Sequence, residues 1–451
     1  MSVGPSQVAE SSPEDIDRLV HAAVFGIQPE RDAARVRLWN LGQQLGPRPA
    51  SIHDLYLARG RGECSGFTVP AINVRMLAYD TARAVFRAAK ARDAGAIILE
   101  IARSEIAYTD QRPAEYVAVM IGAALREGYQ LPLFIQGDHC QVNAKKYQAN
   151  PDAEVGEVKH LIGEEIASGF FNIDVDTSTL VDLSFPTLDE QQRTNYQRAA
   201  EITRFIREHE PDGITISVGA EIGEVGTKNS TVAELHAFMD GYNRTLAATA
   251  GCEGISKISV QTGTSHGGVV LPDGSIAAVK LDLQALEALS QSARKDYGLG
   301  GAVQHGASTL PSAAFGTFPR IETAEIHLAT NFQNIIFDHP ALPVELRERM
   351  YRWLDTNAES ERKAGDSAEQ FYYKTRKKAI GPFKREVWAL PAPIRQQIGA
   401  DLETMFGFLF DQLRANGTAA LVRRFITAPS VTQDALAHAG VLAEDDPDAG
   451  E

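Results

Sequence analysis

The chain has 451 residues, of which 44% are hydrophobic and 23% charged, as is usual for a globular protein. Its formal net charge of −15 argues against nucleic acid as a partner, because such a surface repels phosphate backbones. No run of about 18 apolar residues occurs, so we expect no membrane-spanning helix. The 3 cysteines are too few for a disulfide framework, and no secretory signal pattern is present. These features favour a cytoplasmic protein.

The pattern of short β-rich runs begins after residue 60. Before it, the sequence predicts polar helices at 13–25 and 30–45. The strand candidates are 67–74, 96–101, 132–138, 170–176, 213–220, 257–263, 301–305 and 324–330. Amphipathic stretches at helical spacing fill most of the intervals, at 79–92, 114–127, 155–168, 187–207, 232–248 and 283–293. The interval 310–322 has room for only a short helix.

Eight strands separated by helices are typical of an α/β protein with a closed (β/α)₈ TIM barrel. A doubly wound open sheet remains the alternative, because periodicity does not show closure. We predict an N-terminal helical segment at 1–60, the barrel at 61–357, and a helical C-terminal extension with an acidic tail at 358–451. The helices of this extension, at 358–375, 393–413 and 417–425, are expected to pack on the barrel or on a partner subunit.

Catalytic groups of such barrels lie at the C-terminal ends of the strands. Strands three to eight all end in ionisable or hydroxyl residues, among them Asp138, His139, Asp176, Glu221, His266, His305 and His327. The histidines His139, His266 and His305 each lie near a glycine at equivalent strand ends. Three neutral imidazoles suit Zn²⁺ as a Lewis acid, with Glu221 as a fourth or alternative ligand.

The carboxylates beside these histidines have two possible roles each. Asp138 is expected either to shuttle a proton or to orient a ligating imidazole. Asp176 either orients a ligand or binds an auxiliary cation. His327 is either a substrate contact or a structural residue.

Small residues in the last loops predict an anion site, because they let backbone N–H groups approach a ligand closely. The candidates are Gly267, Gly268, Gly306, Ser308, Thr330 and Asn331. Tight turns would explain the same glycines equally well. The basic cluster Lys374, Arg376, Lys377 and Lys378 is interpreted as a solvated helix face, unless a partner subunit places it beside a pocket.

Several segments between residues 66 and 331, taken together and in their order along the chain, resemble the class II (metal-dependent) ketose-bisphosphate aldolases. They are GFTVPAINV, QGDHC, FNIDVDTS, VGAEIGEVG, GTSHGG with VKLDLQAL, and LGGAVQHGASTLP. The resemblance implies a barrel lyase that reversibly cleaves a ketose phosphate to dihydroxyacetone phosphate and an aldehyde. Fructose and tagatose 1,6-bisphosphate are the first candidate substrates, and members are commonly dimers or larger.

The resemblance also implies roles for individual residues. Zn²⁺ would be held by the histidines named above with Glu221, and Asp138 would move the proton on the aldehyde-side oxygen. Ser308 would contact the substrate phosphate, and Asn73 in the first strand segment would contact substrate. Glu224 is the nearest carboxylate for the proton-abstracting role.

Three departures from the family pattern keep alternatives open. His327 stands where the family usually has Asn, and the loop after Glu221 reads EVGTKNST. The segment LEIARSEIAYT, with Glu100 and Ala102, is more similar to the non-catalytic large subunit associated with tagatose-bisphosphate aldolases. The alternatives are therefore a non-catalytic partner subunit of such an aldolase, or a metal-dependent barrel lyase or epimerase acting on another carbohydrate.

Overall fold

The computed structural model describes residues 12–223, 228–263, 271, 281–433 and 435–436. Within these residues, eight parallel strands form a closed barrel in sequence order. They are β1 (Val69–Asn73), β2 (Ile98–Ala102), β3 (Phe134–Gln141), β4 (Asn172–Asp176), β5 (Ser217–Glu221), β6 (Lys257–Val260), β7 (Ala302–Gln304) and β8 (Glu325–Leu328). Strand β8 pairs with β1, which confirms the (β/α)₈ TIM barrel and excludes the open sheet.

Helices surround the barrel. In chain order they are α1 (Pro13–Phe25), α2 (Gln28–Leu45), α3 (His53–Gly60), α4 (Ala78–Arg92), α5 (Arg103–Thr109), α6 (Pro113–Glu127), α7 (Ala144–Ala149), α8 (Pro151–Ser168), α9 (Leu188–His209), α10 (Val232–Leu246), α11 (Leu283–Tyr297), α12 (Thr330–Phe337), α13 (Val344–Asn357), α14 (Ala368–Thr375), α15 (Lys384–Trp388), α16 (Ala392–Gln412) and α17 (Ala419–Phe425). The interval after β7 holds two short 3₁₀ helices, Ala307–Thr309 and Ser312–Thr317, in place of an α-helix. No described helix has the length and apolar character needed to cross a bilayer.

The N-terminal helices cover helix α6, which is why α6 is buried along most of its length. A Cβ atom at Gly122 would lie 2.2 Å from Cγ2 of Val20 in α1, so this close approach requires glycine. The C-terminal helix α16 packs in the same way on α4, and the Phe406 ring lies 4.8 Å from that of Phe332 in α12. Buried side chains of both additions belong to the same hydrophobic cluster as the barrel helices.

Candidate metal centre and active site

Three side chains with metal-binding atoms converge at the C-terminal mouth of the barrel. His139 lies in β3, Glu221 ends β5, and His305 follows β7; one ligand atom from each lies within 4.8 Å of the others. The His139 and His305 ring centroids are 4.3 Å apart. The Ser259 hydroxyl of β6 lies 2.9 Å from Nε2 of His305 and orients this ring. Two imidazoles and one carboxylate form a donor set that suits Zn²⁺.

A bulge in β3 lets neighbouring residues both face the mouth. The pairing of β3 with β4 shifts register between Gly137 and Cys140, and His139 has a positive φ of 44°. This explains why β3 continues to Gln141, beyond the strand predicted at 132–138. Gly137 is required here, because a Cβ atom would lie 2.4 Å from the Glu165 carboxylate behind the strand.

Carboxylates surround the imidazole of His139. Oδ2 of Asp176 lies 3.1 Å from its Nδ1, so Asp176 orients this ring. Burial alone would lower the pKa of His139, but Asp138, Asp176 and Glu221 outweigh burial and raise this pKa well above its ordinary value. Burial, followed by the charge of Asp176, raises the pKa of Glu221. The carboxylates around this one imidazole concentrate negative charge, and a bound cation would compensate that charge.

Both carboxylate oxygens of Asp138 have a hydrogen-bonding partner. The Asn73 side-chain amide donates to Oδ2 at 3.3 Å, and Nδ1 of His327 lies 3.1 Å from Oδ1. The other ring nitrogen of His327 lies 2.7 Å from Oε1 of Glu325. His327 therefore bridges Asp138 to a carboxylate deeper in the barrel, a contact that the sequence did not reveal.

A group of buried polar side chains, here called the polar column, fills the barrel below Asp138. It consists of Glu100, Gln136, Asp174, Lys257 and Glu325, each at most 5% exposed. The Lys257 ammonium donates to Gln136, Asp174 and Glu325. The spacing of three members could have indicated this group from the sequence. Gln136, Asp174 and Glu325 each lie two residues before a predicted site residue (Asp138, Asp176 and His327). Residues two apart in a strand face the same side, which here is the inside of the barrel.

Glu100 is the member of the polar column that reaches the open cavity. Its Oε2 accepts from Gln136 at 2.9 Å and lies 3.2 Å from Nδ1 of His327. Its Oε1 is buried and has no hydrogen-bonding partner in the described residues. Burial, and then the charge of Asp138, raise the pKa of Glu100 to about 7. Glu100 therefore lies directly behind the cavity wall as a buried carboxyl group in contact with His327.

The cavity over the barrel mouth has a volume of about 890 Å³. Most predicted site residues within the described ranges line it, namely Asn73, Asp138, His139, Glu221, His305, Gly306, Ser308, His327 and Thr330. The Ser308 hydroxyl accepts the Ala329 N–H at 2.6 Å. The remaining candidates Glu224, His266, Gly267 and Gly268 lie outside the described residues.

The structure places two groups of residues near this rim differently from what the sequence pattern indicates. Asn331 lines a separate small cavity, where its amide lies 3.8 Å from the Met405 sulfur. The reason is that α12 begins at Thr330, so the next side chain points about 100° away around the helix axis. The basic cluster is a solvated face only in part, because Lys374 and Lys378 are exposed or partly exposed whereas Arg376 is buried. Its Lys374 and Lys377 line the cavity, and the Arg376 side chain is only 4% exposed.

The sequence profile of class-II fructose-bisphosphate aldolases matches residues 61–386. The chain belongs to this family. The match covers the whole barrel and the C-terminal segment that reaches the cavity. A comparison with curated protein sequences gives no match.

Two of the solved structures to which this chain is similar are enzymes with different activities. Fructuronate-tagaturonate epimerase UxaE from Cohnella laeviribosi, complexed with glycerol, is 12% identical with a TM-score of 0.55, covering 86% of this chain and 86% of its own. Fructose-bisphosphate aldolase from Campylobacter jejuni is 16% identical with a TM-score of 0.46, covering 80% of this chain and 93% of its own. At these identities the likeness shows the fold alone.

Proposed function

We propose that this protein is a zinc-dependent aldolase. It reversibly cleaves a phosphorylated ketose, with fructose or tagatose 1,6-bisphosphate as first candidates, to dihydroxyacetone phosphate and an aldehyde. The convergence of His139, Glu221 and His305 beside Asp138, in a chain of the class-II aldolase family, carries the proposal. We further expect a cytoplasmic homo-oligomer, a dimer or larger, which light scattering of the purified protein would test.

The residues present fit a divalent cation of borderline softness. His139, Glu221 and His305 would hold it, with His266 as a third imidazole beyond the described residues. A bound zinc ion would supply Lewis-acid polarisation of the ketone half of the substrate. Asp176 serves this site by fixing the ring of His139 through its Nδ1.

Asp138 moves the proton of the carbon–carbon bond cleavage. In the cleavage direction its carboxylate accepts the proton from the substrate hydroxyl whose carbon becomes the aldehyde. The carbon–carbon bond then breaks, and its electron pair stays on the ketone half, which a second acid protonates. Glu224 is the candidate for that second step. The hydrogen bond from Asn73 and the contact with His327 support this role, because they hold the Asp138 carboxylate in one orientation.

The test is release of dihydroxyacetone phosphate by metal-assayed protein from a panel of ketose mono- and bisphosphates. We expect EDTA to abolish release and Zn²⁺ to restore it. Cleavage that is insensitive to EDTA would overturn the proposal. If the protein binds no metal and releases no dihydroxyacetone phosphate, the result would favour a non-catalytic partner subunit.

A variant tests the metal ligands separately. His305→Ala should lose most of its zinc while the far-ultraviolet circular dichroism spectrum stays unchanged, because His305 follows β7 and its loss removes no backbone hydrogen bond of the barrel. His339→Ala is the matched control, since His339 is buried on an outer connection. Full zinc content in His305→Ala would show that the ligand assignment is wrong.

A second candidate function is epimerisation of a sugar acid or another carbohydrate without phosphate. The pair of Glu100 and His327 favours it, because it places further acid–base groups on the cavity wall beside Asp138. Fructuronate and tagaturonate, the substrates named for the Cohnella enzyme, are the probes to try. Interconversion followed by NMR, with no release of dihydroxyacetone phosphate from any ketose phosphate, would replace the aldolase proposal with this one.

A further inference from the structure

Glu165 of α8 is a buried carboxyl group that the proposed chemistry does not use. Its side chain is fully buried and lies behind β3, on the helix side of the strand. Oε2 accepts a hydrogen bond from the Cys140 thiol at 3.3 Å, whereas Oε1 has no hydrogen-bonding partner among the described residues. A buried polar atom without a partner costs stability, so the presence of this carboxyl group requires an explanation.

The residues that Glu165 contacts lie on both sides of the bulge in β3. Gly137 comes before the bulge, and a Cβ atom on it would lie 2.4 Å from the Glu165 carboxyl group. Cys140 comes after the bulge. Between these two residues the pairing advances three residues in β3 for two in β4. Glu165 therefore spans, from behind, the two residues that the register skips, which are Asp138 and His139.

The bulge reverses the direction in which His139 would point in a regular strand. Residues two apart in a strand face the same side, so His139 would point with Gly137 towards α8. Instead Cys140 contacts Glu165, and His139 turns to the cavity with a φ of 44°. A positive φ is unfavourable for a residue that has a Cβ atom, so contacts around the bulge must stabilise this conformation.

Helix α8 is fixed to β3 at its other end as well. Oε1 of Glu154 accepts a hydrogen bond from the Asn143 N–H at 2.8 Å and another from Arg103 at 2.7 Å. Arg103 also donates to the carbonyl oxygen of Gln141, the last residue of β3, at 2.7 Å. These contacts keep α8 in register with β3, so Glu165 stays behind the bulge.

The contact between Glu165 and β3 does not depend on a negative charge. Burial raises the pKa of Glu165 to about 8, so the neutral carboxyl group prevails at pH 7. Glutamine has nearly the same shape and keeps an oxygen that can accept from the Cys140 thiol. Alanine removes both the acceptor and the atoms that pack against Gly137.

We propose that Glu165 is a positioning residue for the metal centre. Its carboxyl group, packed against Gly137 and hydrogen-bonded to Cys140, stabilises the bulge that turns Asp138 and His139 to the cavity. The inference rests on the proposed function for the metal that His139 would bind. The shape of β3 itself needs neither metal nor turnover.

The first test is the zinc affinity of the full-length protein, measured by competition with a chelator. Glu165→Ala should weaken zinc binding at least about tenfold, as is typical when a group that orients a metal ligand is lost. Glu165→Gln should bind within about threefold of the wild type. Glu164→Ala is the matched control on α8, because Glu164 pairs outside the barrel with Arg112. Val85→Ala removes a fully buried side chain of α4 and controls for a general loss of stability.

The second test is hydrogen–deuterium exchange of metal-free protein, followed by mass spectrometry of the segment 134–141. Exchange in this segment should be faster in Glu165→Ala than in the wild type, and unchanged in Val85→Ala. Should Glu165→Ala fold poorly, Cys140→Ala removes the same hydrogen bond from the strand side. It should then weaken zinc binding and speed exchange in the same direction.

The inference is overturned if Glu165→Ala binds zinc and exchanges like the wild type. It is also overturned if Val85→Ala weakens zinc binding as much, because the effect would then be one of general stability. Glutamine must restore binding, so an equal loss in Glu165→Gln contradicts the proposed contact. Wild-type protein that binds no zinc would refute the proposed function, and the exchange of segment 134–141 would then decide this inference alone.

Discussion

Lys257 is the group on which the interior of the barrel depends most. Its side chain is fully buried, and its ammonium donates to Gln136 at 2.7 Å, to Glu325 at 2.6 Å and to Asp174 at 3.0 Å. An ammonium has three N–H donors, so these contacts use all of them. Replacing Lys257 by Met keeps the length of the side chain and removes its charge and its donors.

The loss of stability in Lys257→Met depends on which partners the carboxylates of Glu325 and Asp174 retain. Glu325 would still accept from Tyr56 and Gln136 and would keep its contact with His327. Among the described residues, Asp174 would keep only its contact with His327, at 3.6 Å. Removing one partner of a buried ion pair typically destabilises by about 3–5 kcal/mol. We expect that loss in the free energy of unfolding for Lys257→Met, mostly through Asp174.

Urea unfolding at pH 7 measures this loss, and a second substitution tests its cause. Asp174→Asn in the Lys257→Met background should recover roughly half of the loss, because it neutralises the unpaired charge at nearly the same shape. Lys159→Met is the control: its pair with Glu201 is about a quarter exposed, and its removal should change stability by less than about 1 kcal/mol. A loss below about 1 kcal/mol for Lys257→Met, or no recovery in the double variant, would refute the reasoning.

Three further predictions follow from single contacts. Burial raises the pKa of Glu165 from 4.5 to about 8, so the unfolded state loses this proton first and the wild type loses stability as pH rises between these values. Urea unfolding at pH 5 and pH 8 should show a smaller loss for Glu165→Gln, and equal losses would contradict this. Gly60→Ala would place a Cβ atom 1.9 Å from a backbone carbonyl and should cost at least about 2 kcal/mol, whereas Gly156→Ala, with open space around it in α8, should gain about 0.5–1 kcal/mol. If calorimetry finds Gly60→Ala as stable as Gly156→Ala or more stable, the backbone around Gly60 must relax to accommodate the added Cβ atom. Asp176→Asn should weaken zinc binding about 10–100-fold through the altered orientation of His139, and a competition titration with a chelator that finds no change would contradict this role.

The barrel and the convergence at its mouth could be predicted from the sequence. The reason is that both depend on local pattern: short β-rich runs alternate with helical spacing, and parallel strands bring their C-terminal ends to one side. Asp138, Glu221 and His305 come together for this reason, whereas His139 also needs the bulge in β3, which the pattern does not show. Asn331 lines a separate small cavity, and the sequence could not show this because the pattern does not fix where β8 ends and α12 begins.

Contacts between distant parts of the chain could not be predicted in this way. The position of Lys377 in the cavity depends on how Arg376 docks on Asp338 and Asn334, and no local pattern fixes that arrangement. Lys257 and Glu325 are an intermediate case. A charged residue within a predicted buried strand is a signal, but its partners lie on other strands.

The distribution of charge along the barrel connects these features to the chemistry proposed. In the part of the interior that the structure describes, the basic groups paired with Glu100, Asp138, Asp174 and Glu325 are Lys257, His139 and His327. Asp176 and Glu221 add further negative charge at the mouth. An interior with excess carboxylate is complementary to a divalent cation at the mouth and would repel an anion. An anionic substrate group would therefore require basic side chains away from these carboxylates, and Arg75, Lys374 and Lys377 line the same cavity.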